Sequence, residues 1–128
     1  DWDVHVPCFI AEFELDALLA HANIPLFVPI VPYPSMRRDL SLMVPNEITY
    51  GSIKSVILSQ NNKAYLKSMF VFDIYKSAEV GSDRYALGLA LVLQSNTGTL
   101  TESDVQTFTQ QTLQVLHDDL GVHLRGGK

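Results

Sequence analysis

The chain has 128 residues, 47% of them apolar and 18% charged, with a net charge of −5. Those values suit one ordinary domain with a buried core, or one domain plus part of a neighbour, and they exclude a disordered chain. No apolar run reaches the about 20 residues needed to cross a bilayer, and the charge is of the wrong sign for a protein that coats phosphates, so neither a membrane nor DNA is expected as a partner.

The charge is unevenly spread. Residues 1–34 hold Asp1, Asp3, Glu12, Glu14 and Asp16 and no Lys or Arg, whereas residues 35–128 hold all nine basic residues against nine acidic ones. The acidity belongs to the leading segment and the rest is neutral. RNA contact by such a body has to rest on stacking and hydrogen bonding more than on bulk attraction. The first residues, Asp1-Trp2-Asp3, do not form the basic start of a signal peptide. A single cysteine, Cys8, fits a reducing, cytoplasmic compartment, and its apolar neighbours Val6 to Ile10 predict an inert, packed thiol.

In chain order, Cys8 to Glu14 reads as a strand and Asp16 to His21 as a helical turn, too little for a domain of its own. Pro25, Pro29, Pro32 and Pro34 then mark a connection, because proline removes backbone donors and opposes helix. The expected boundaries are 1–32 for the end of a preceding domain with its linker, and 33–128 for the main domain. Arg38, Leu40, Leu42 and Val44 alternate with Arg37, Asp39, Ser41 and Met43 as a half-buried strand. Thr49 caps a helix whose apolar face is Tyr50, Ile53, Val56 and Ile57.

The next strand spans about Leu66 to Lys76, with Phe70, Phe72 and Ile74 on one side and Met69, Val71, Asp73 and Tyr75 on the other. Gly81-Ser82-Asp83 turns the chain into a third strand with Leu87, Leu89, Leu91 and Leu93 inward and Ala86, Gly88, Ala90 and Val92 outward. Thr101-Glu102-Ser103-Asp104 forms a capping box for a long helix carrying Val105, Phe108, Val115 and Leu116 on one side. Gly121 ends it and Val122 and Leu124 close with a short strand. The order βαββαβ predicts an α+β, ferredoxin-like sandwich, a four-stranded antiparallel sheet with both helices on one face.

Helices over the Leu, Phe and Val positions leave an open face of Arg37, Asp39, Met69, Val71, Asp73, Tyr75, Ala86, Gly88, His123 and Arg125. Asp73 and Tyr75, two apart on one strand, share that face: a ring for a base to stack on and a carboxylate for its edge. Arg37 is read as exposed and functional. Arg38 faces inward and is either a paired structural arginine or an RNA ligand. Asp39 is read as capping a turn or pairing with Arg125. His5, His21, His117 and His123 are scattered without metal-ligand spacing, and no P-loop, GxGxxG or nucleophile elbow is present.

Several blocks read together are similar to a known family. Tyr33-Pro34-Ser35-Met36-Arg37-Arg38-Asp39-Leu40-Ser41-Leu42, Val71-Phe72-Asp73-Ile74-Tyr75, Thr99-Leu100-Thr101-Glu102-Ser103-Asp104-Val105 and Leu120-Gly121-Val122-His123-Leu124-Arg125 resemble the ferredoxin-fold anticodon-binding domain that ends the β subunit of bacterial phenylalanyl-tRNA synthetase. Phe13-Glu14-Leu15-Asp16-Ala17-Leu18-Leu19 resembles the close of the domain before it. The resemblance implies a tRNA-binding, non-catalytic part of an (αβ)₂ ligase whose α subunit uses ATP and Mg²⁺ to attach phenylalanine to its tRNA. No cofactor is implied in this chain itself. It implies tRNA-binding roles for Asp73, Tyr75, Arg37, Arg38 and the position of Ala86. Ala86 stands where the family usually has serine and Gly98 where it usually has arginine, which implies weaker reliance on this domain for anticodon discrimination.

Three other βαββαβ classes are weighed against this. An acylphosphatase-like hydrolase needs a glycine-rich anion loop with arginine after the first strand, where Pro45-Asn46-Glu47-Ile48 stands. A regulatory small-molecule-binding module needs a glycine in the same loop. An RNA-recognition motif carries aromatics on the outward face of the third strand, where Ala86, Gly88 and Ala90 stand.

Overall fold

A computed structural model of the chain describes residues 6–60, 65–76 and 80–126. Asp1, Trp2, Asp3 and His5 lie outside the described residues. Two compact units are present, 1–30 and 31–128. In the first, helix α1 (Leu15–Ala20) matches the expected helical turn, but Cys8 to Glu14 is not a strand. An isolated strand leaves its backbone donors and acceptors without a ladder, and none is formed there among the described residues. Residues 6–30 are all exposed, Phe9 and Ile10 at 96%. Cys8 is therefore exposed too, against the expectation of a packed thiol, because this unit gathers no core around it.

The second unit begins two residues before Tyr33 and carries β1 (Met36–Pro45), α2 (Tyr50–Ser59), β2 (Leu66–Tyr75), β3 (Arg84–Leu93), α3 (Glu102–Leu120) and β4 (His123–Leu124). The sheet order is β2-β3-β1-β4 and every pair is antiparallel. This is the expected ferredoxin-like α+β sandwich. β1 and β3 pair over ten residues without a slip, from Met36 opposite Leu93 to Pro45 opposite Arg84. Their inward side chains Leu40, Leu42, Val44, Leu87, Leu89, Leu91 and Leu93 are buried with Ile53 and Ile57 of α2 and Val105, Phe108 and Leu116 of α3.

Local chemistry sets both helices. Thr49 accepts a hydrogen bond from the Ser52 backbone N–H at the start of α2. At α3 the capping box is complete: Thr101 Oγ1 accepts from the Asp104 N–H and the Asp104 carboxylate accepts from the Thr101 N–H at 2.8 Å. The Thr101 hydroxyl also donates to that carboxylate at 2.7 Å, and this bond, with the one from the Thr101 N–H, holds the Asp104 carboxyl below its ordinary pKa. Gly121 ends the helix at φ 63°, a left-handed turn that lets the Val122 N–H reach back to the Leu116 carbonyl. The buried positions of α3 step through Val105, Phe108, Thr112 and Leu116. Thr112 takes the place expected of Val115, since it continues the helical spacing and Val115 sits beside it.

The edge strand β2 departs from the expected pattern. Opposite β3 its register shifts twice, between Leu66 and Ser68 and between Val71 and Asp73. Each shift leaves one extra residue, Lys67 and Phe72, and each resets which side chains face the core. Leu66, Met69 and Val71 pack against the core, while Phe70 and Phe72 turn to the open face, 42% and 50% exposed. The expected placement of Met69 and Val71 outward and Phe70 and Phe72 inward is thus reversed. Beyond the second bulge Asp73 pairs with Gly88 and Tyr75 with Ala86, both outward positions of β3, as expected.

Candidate nucleic-acid interface

The open face is built on a floor of small residues. Ala86, Gly88 and Ala90 of β3 let side chains from the flanking strands β1 and β2 meet above them. Ala86 is 5% exposed and Ala90 fully covered. Gly88 is needed for this: a Cβ there would stand 2.7 Å from Phe72 Cε2 and 3.1 Å from Asp73 Cβ. The floor beside Asp73 and Tyr75 is partly occupied by the Phe72 ring.

Asp73 and Tyr75 are both exposed on this face. The Arg125 backbone N–H donates to the Ser41 carbonyl at 2.7 Å, continuing the edge past β4, and the Arg125 guanidinium lies over the Tyr75 ring at 5.9 Å from its centroid. Alternation puts Arg125 on this face, but the sequence alone does not single it out as a site residue. A basic residue two beyond His123 at an outward register was the available signal.

Arg37 is exposed as expected. Its Nε and Nη2 donate to the two carboxylate oxygens of Asp39 at 2.7 and 3.1 Å, a two-bond clamp. Asp39 therefore pairs with Arg37 on its own strand, and not with Arg125 as expected. Two residues apart on a strand share a face, so this pair needs no strand crossing. The guanidinium also lies 5.3 Å from the Phe70 centroid and 5.8 Å from that of Phe72. Sequence reasoning missed both rings, because nothing in a period-two pattern marks where a bulge falls.

Arg38 goes the other way. It points to the helix side and its Nη2 donates to Glu102 at the first turn of α3. That is the structural one of its two readings: a carboxylate at a helix N-terminus held by a cation from the sheet. The structure does not bring Arg38 together with Asp73, Tyr75 and Arg37. His123, by register an outward residue opposite Met43, turns its ring to His117 of α3, with centroids 4.8 Å apart, and leaves the open face. A concavity of about 560 Å³ lies beside that histidine pair and is lined by residues of α3 and β4, among them Gln110, Leu113 and Leu124. It contains none of the expected site residues. Among the described residues no three His, Cys, Asp or Glu converge on a metal position, and no helix is long and apolar enough to cross a membrane.

Fold and surface together define a class. This is a βαββαβ sandwich whose uncovered sheet face shows three rings, two acids and two arginines lying over the rings, above a floor of small residues, a chemistry suited to unpaired bases. The chain belongs to the ferredoxin-fold anticodon-binding domain family, whose model matches residues 32–125. Over nearly its whole length it is similar to phenylalanine–tRNA ligase β subunits. It is 30% identical to that of Clostridium tetani across 98% of the chain, 31% to that of Legionella pneumophila (strain Lens) across 97%, and 33% to that of Bacillus subtilis across 92%. The chain spans only 16%, 16% and 15% of those curated relatives.

Proposed function

We propose that the chain is the anticodon-binding module of a phenylalanine–tRNA ligase β subunit. It holds the anticodon stem-loop of phenylalanine tRNA on its open sheet face, while the ATP- and Mg²⁺-dependent chemistry takes place in the α subunit of an (αβ)₂ enzyme in the cytoplasm. The observation that carries this reading is the placement of Tyr75 and Asp73 side by side on the face the helices leave uncovered, with Arg125 across the ring.

An unstacked base lies on the Tyr75 ring, its edge hydrogen-bonds to the Asp73 carboxylate, and Arg37 and Arg125 meet backbone phosphates or ring faces. Ala86, directly opposite Tyr75 on β3, closes the floor beneath that base with a methyl group and offers it no hydroxyl. Arg38 contributes by holding α3 to the sheet through Glu102.

The test uses the intact synthetase with Tyr75→Ala and Asp73→Ala together, titrated with phenylalanine tRNA and with unrelated tRNAs. Loss of one stacking contact lowers affinity for the cognate tRNA about tenfold and narrows the gap to the unrelated ones. Unchanged affinity and aminoacylation remove these two residues from the interface.

A further inference from the structure

We infer that the open face holds two nucleobase subsites, not one, the second being the ring of Phe72 edged by the Arg37 guanidinium, which also lies over Phe70. This rests on the anticodon-binding reading and extends it to the number and spacing of the bases received.

The β-bulge is the origin of the second subsite. On a regular strand Phe72 and Asp73 would point to opposite faces. Phe72 has no partner on β3, so both it and Asp73 lie over Gly88 on the open side. Covering Gly88 explains why a ring is there but not why half of it remains in solvent. Two neighbouring half-exposed phenylalanines on the edge strand of a sheet are a liability that proteins ordinarily replace with charge. The guanidinium of Arg37 lies against both rings and is fixed by two bonds to Asp39. A held planar cation beside exposed rings is a mixed platform of the kind on which unpaired bases stack.

Spacing decides what the two subsites take. Tyr75 stands opposite Ala86 and the Phe72 ring covers Gly88, two residues further along β3. That is about 7 Å of strand rise, twice the about 3.4 Å between successive nucleotides of one strand in a duplex. Helically stacked neighbours cannot occupy both places. Two consecutive nucleotides that have been pulled apart can, and the ligand we assign is a single-stranded loop with two adjacent bases splayed onto Tyr75 and Phe72.

The experiment uses this chain with an RNA hairpin carrying the anticodon loop of phenylalanine tRNA, with the fluorescent base 2-aminopurine at one loop position at a time. Two adjacent positions are expected to change fluorescence on binding. Tyr75→Leu removes the response at one and Phe72→Leu at its neighbour, each with about tenfold weaker binding, while Phe72→Tyr keeps both. A thermal melt accompanies each variant. Upfield movement of the Phe72 ring protons of the unsubstituted chain on adding RNA reads the same contact without any mutation. If Tyr75→Leu weakens binding while Phe72→Leu changes neither response and the Phe72 protons stay in place, the second subsite is wrong and the Tyr75 site stands. If the unsubstituted chain binds no hairpin, or Tyr75→Leu has no effect, both readings fall.

Discussion

The central strand β3 and the edge strand β2 carry the same kind of signal in sequence and obey it to different degrees. β3 alternates without a break across ten residues, its leucines buried and its small residues outward, because it is hydrogen-bonded on both sides and any slip would expose the whole leucine row. β2 is paired on one side only. It takes up two extra residues, and the side chains that face the core change at each. Strict alternation is reliable where two ladders enforce it. Where one edge is free, local packing decides: here the flat ring of Phe72 over the bare backbone of Gly88.

Three tests, on four substitutions, break or sharpen that comparison. The largest effect belongs to β3. Leu89→Ala, at a fully covered site, costs about 3 kcal/mol, whereas Phe70→Ala on the half-exposed face of β2 costs about 1 kcal/mol. Urea unfolding of the two variants measures the gap, and equal losses would show that the edge strand is as tightly enforced as the centre.

Gly88→Ala comes next. Its Cβ meets the Phe72 ring at 2.7 Å, so the ring swings out, at about 1–2 kcal/mol. The variant loses the contact of Phe72 with Gly88 but keeps the β1–β3 register. Amide and ring chemical shifts follow both. A β1–β3 ladder disturbed along with the ring would mean that the bulge is not a local feature.

The smallest effect lies away from the sheet, at the α3 cap. Thr101→Ala removes the hydroxyl that accepts from the Asp104 N–H and donates to the Asp104 carboxylate, at about 1 kcal/mol near neutral pH. The Thr101 bonds lower the Asp104 pKa in the folded chain. A depressed carboxyl contributes stability above its unfolded pKa, ordinarily 3.8, and that contribution is lost as pH falls through the lower folded value. The difference between Thr101→Ala and the unsubstituted chain therefore narrows below about pH 4. Thermal melts across that range check it, and a constant difference would separate the cap from the carboxylate.

The candidate site was legible in proportion to how local its cause is. Asp73 and Tyr75 lie beyond the bulge, opposite Gly88 and Ala86, so their shared outward face was correct even though the first half of the same strand was reversed. Phe70 and Phe72 were assigned to the core because large apolar rings in alternation ordinarily belong there. Arg38 and Asp39 could be given faces but not partners. The Arg38–Glu102 pair joins residues 64 apart, and the Arg37–Asp39 clamp depends on which of several nearby charges is in reach.

The sequence by itself determined the element order of the second unit, the caps at Thr49, Thr101 and Gly121 and the leucine face of the sheet, since each follows from local propensity or from period and is fixed within a few residues of chain; the family was legible through the resemblance of several blocks read together. The tertiary structure decided the faces of β2, the partners of the charged residues and the number of rings on the open surface. Those depend on how an edge strand is seated against its neighbour, a choice made between residues far apart in the chain and separated by only a few kcal/mol.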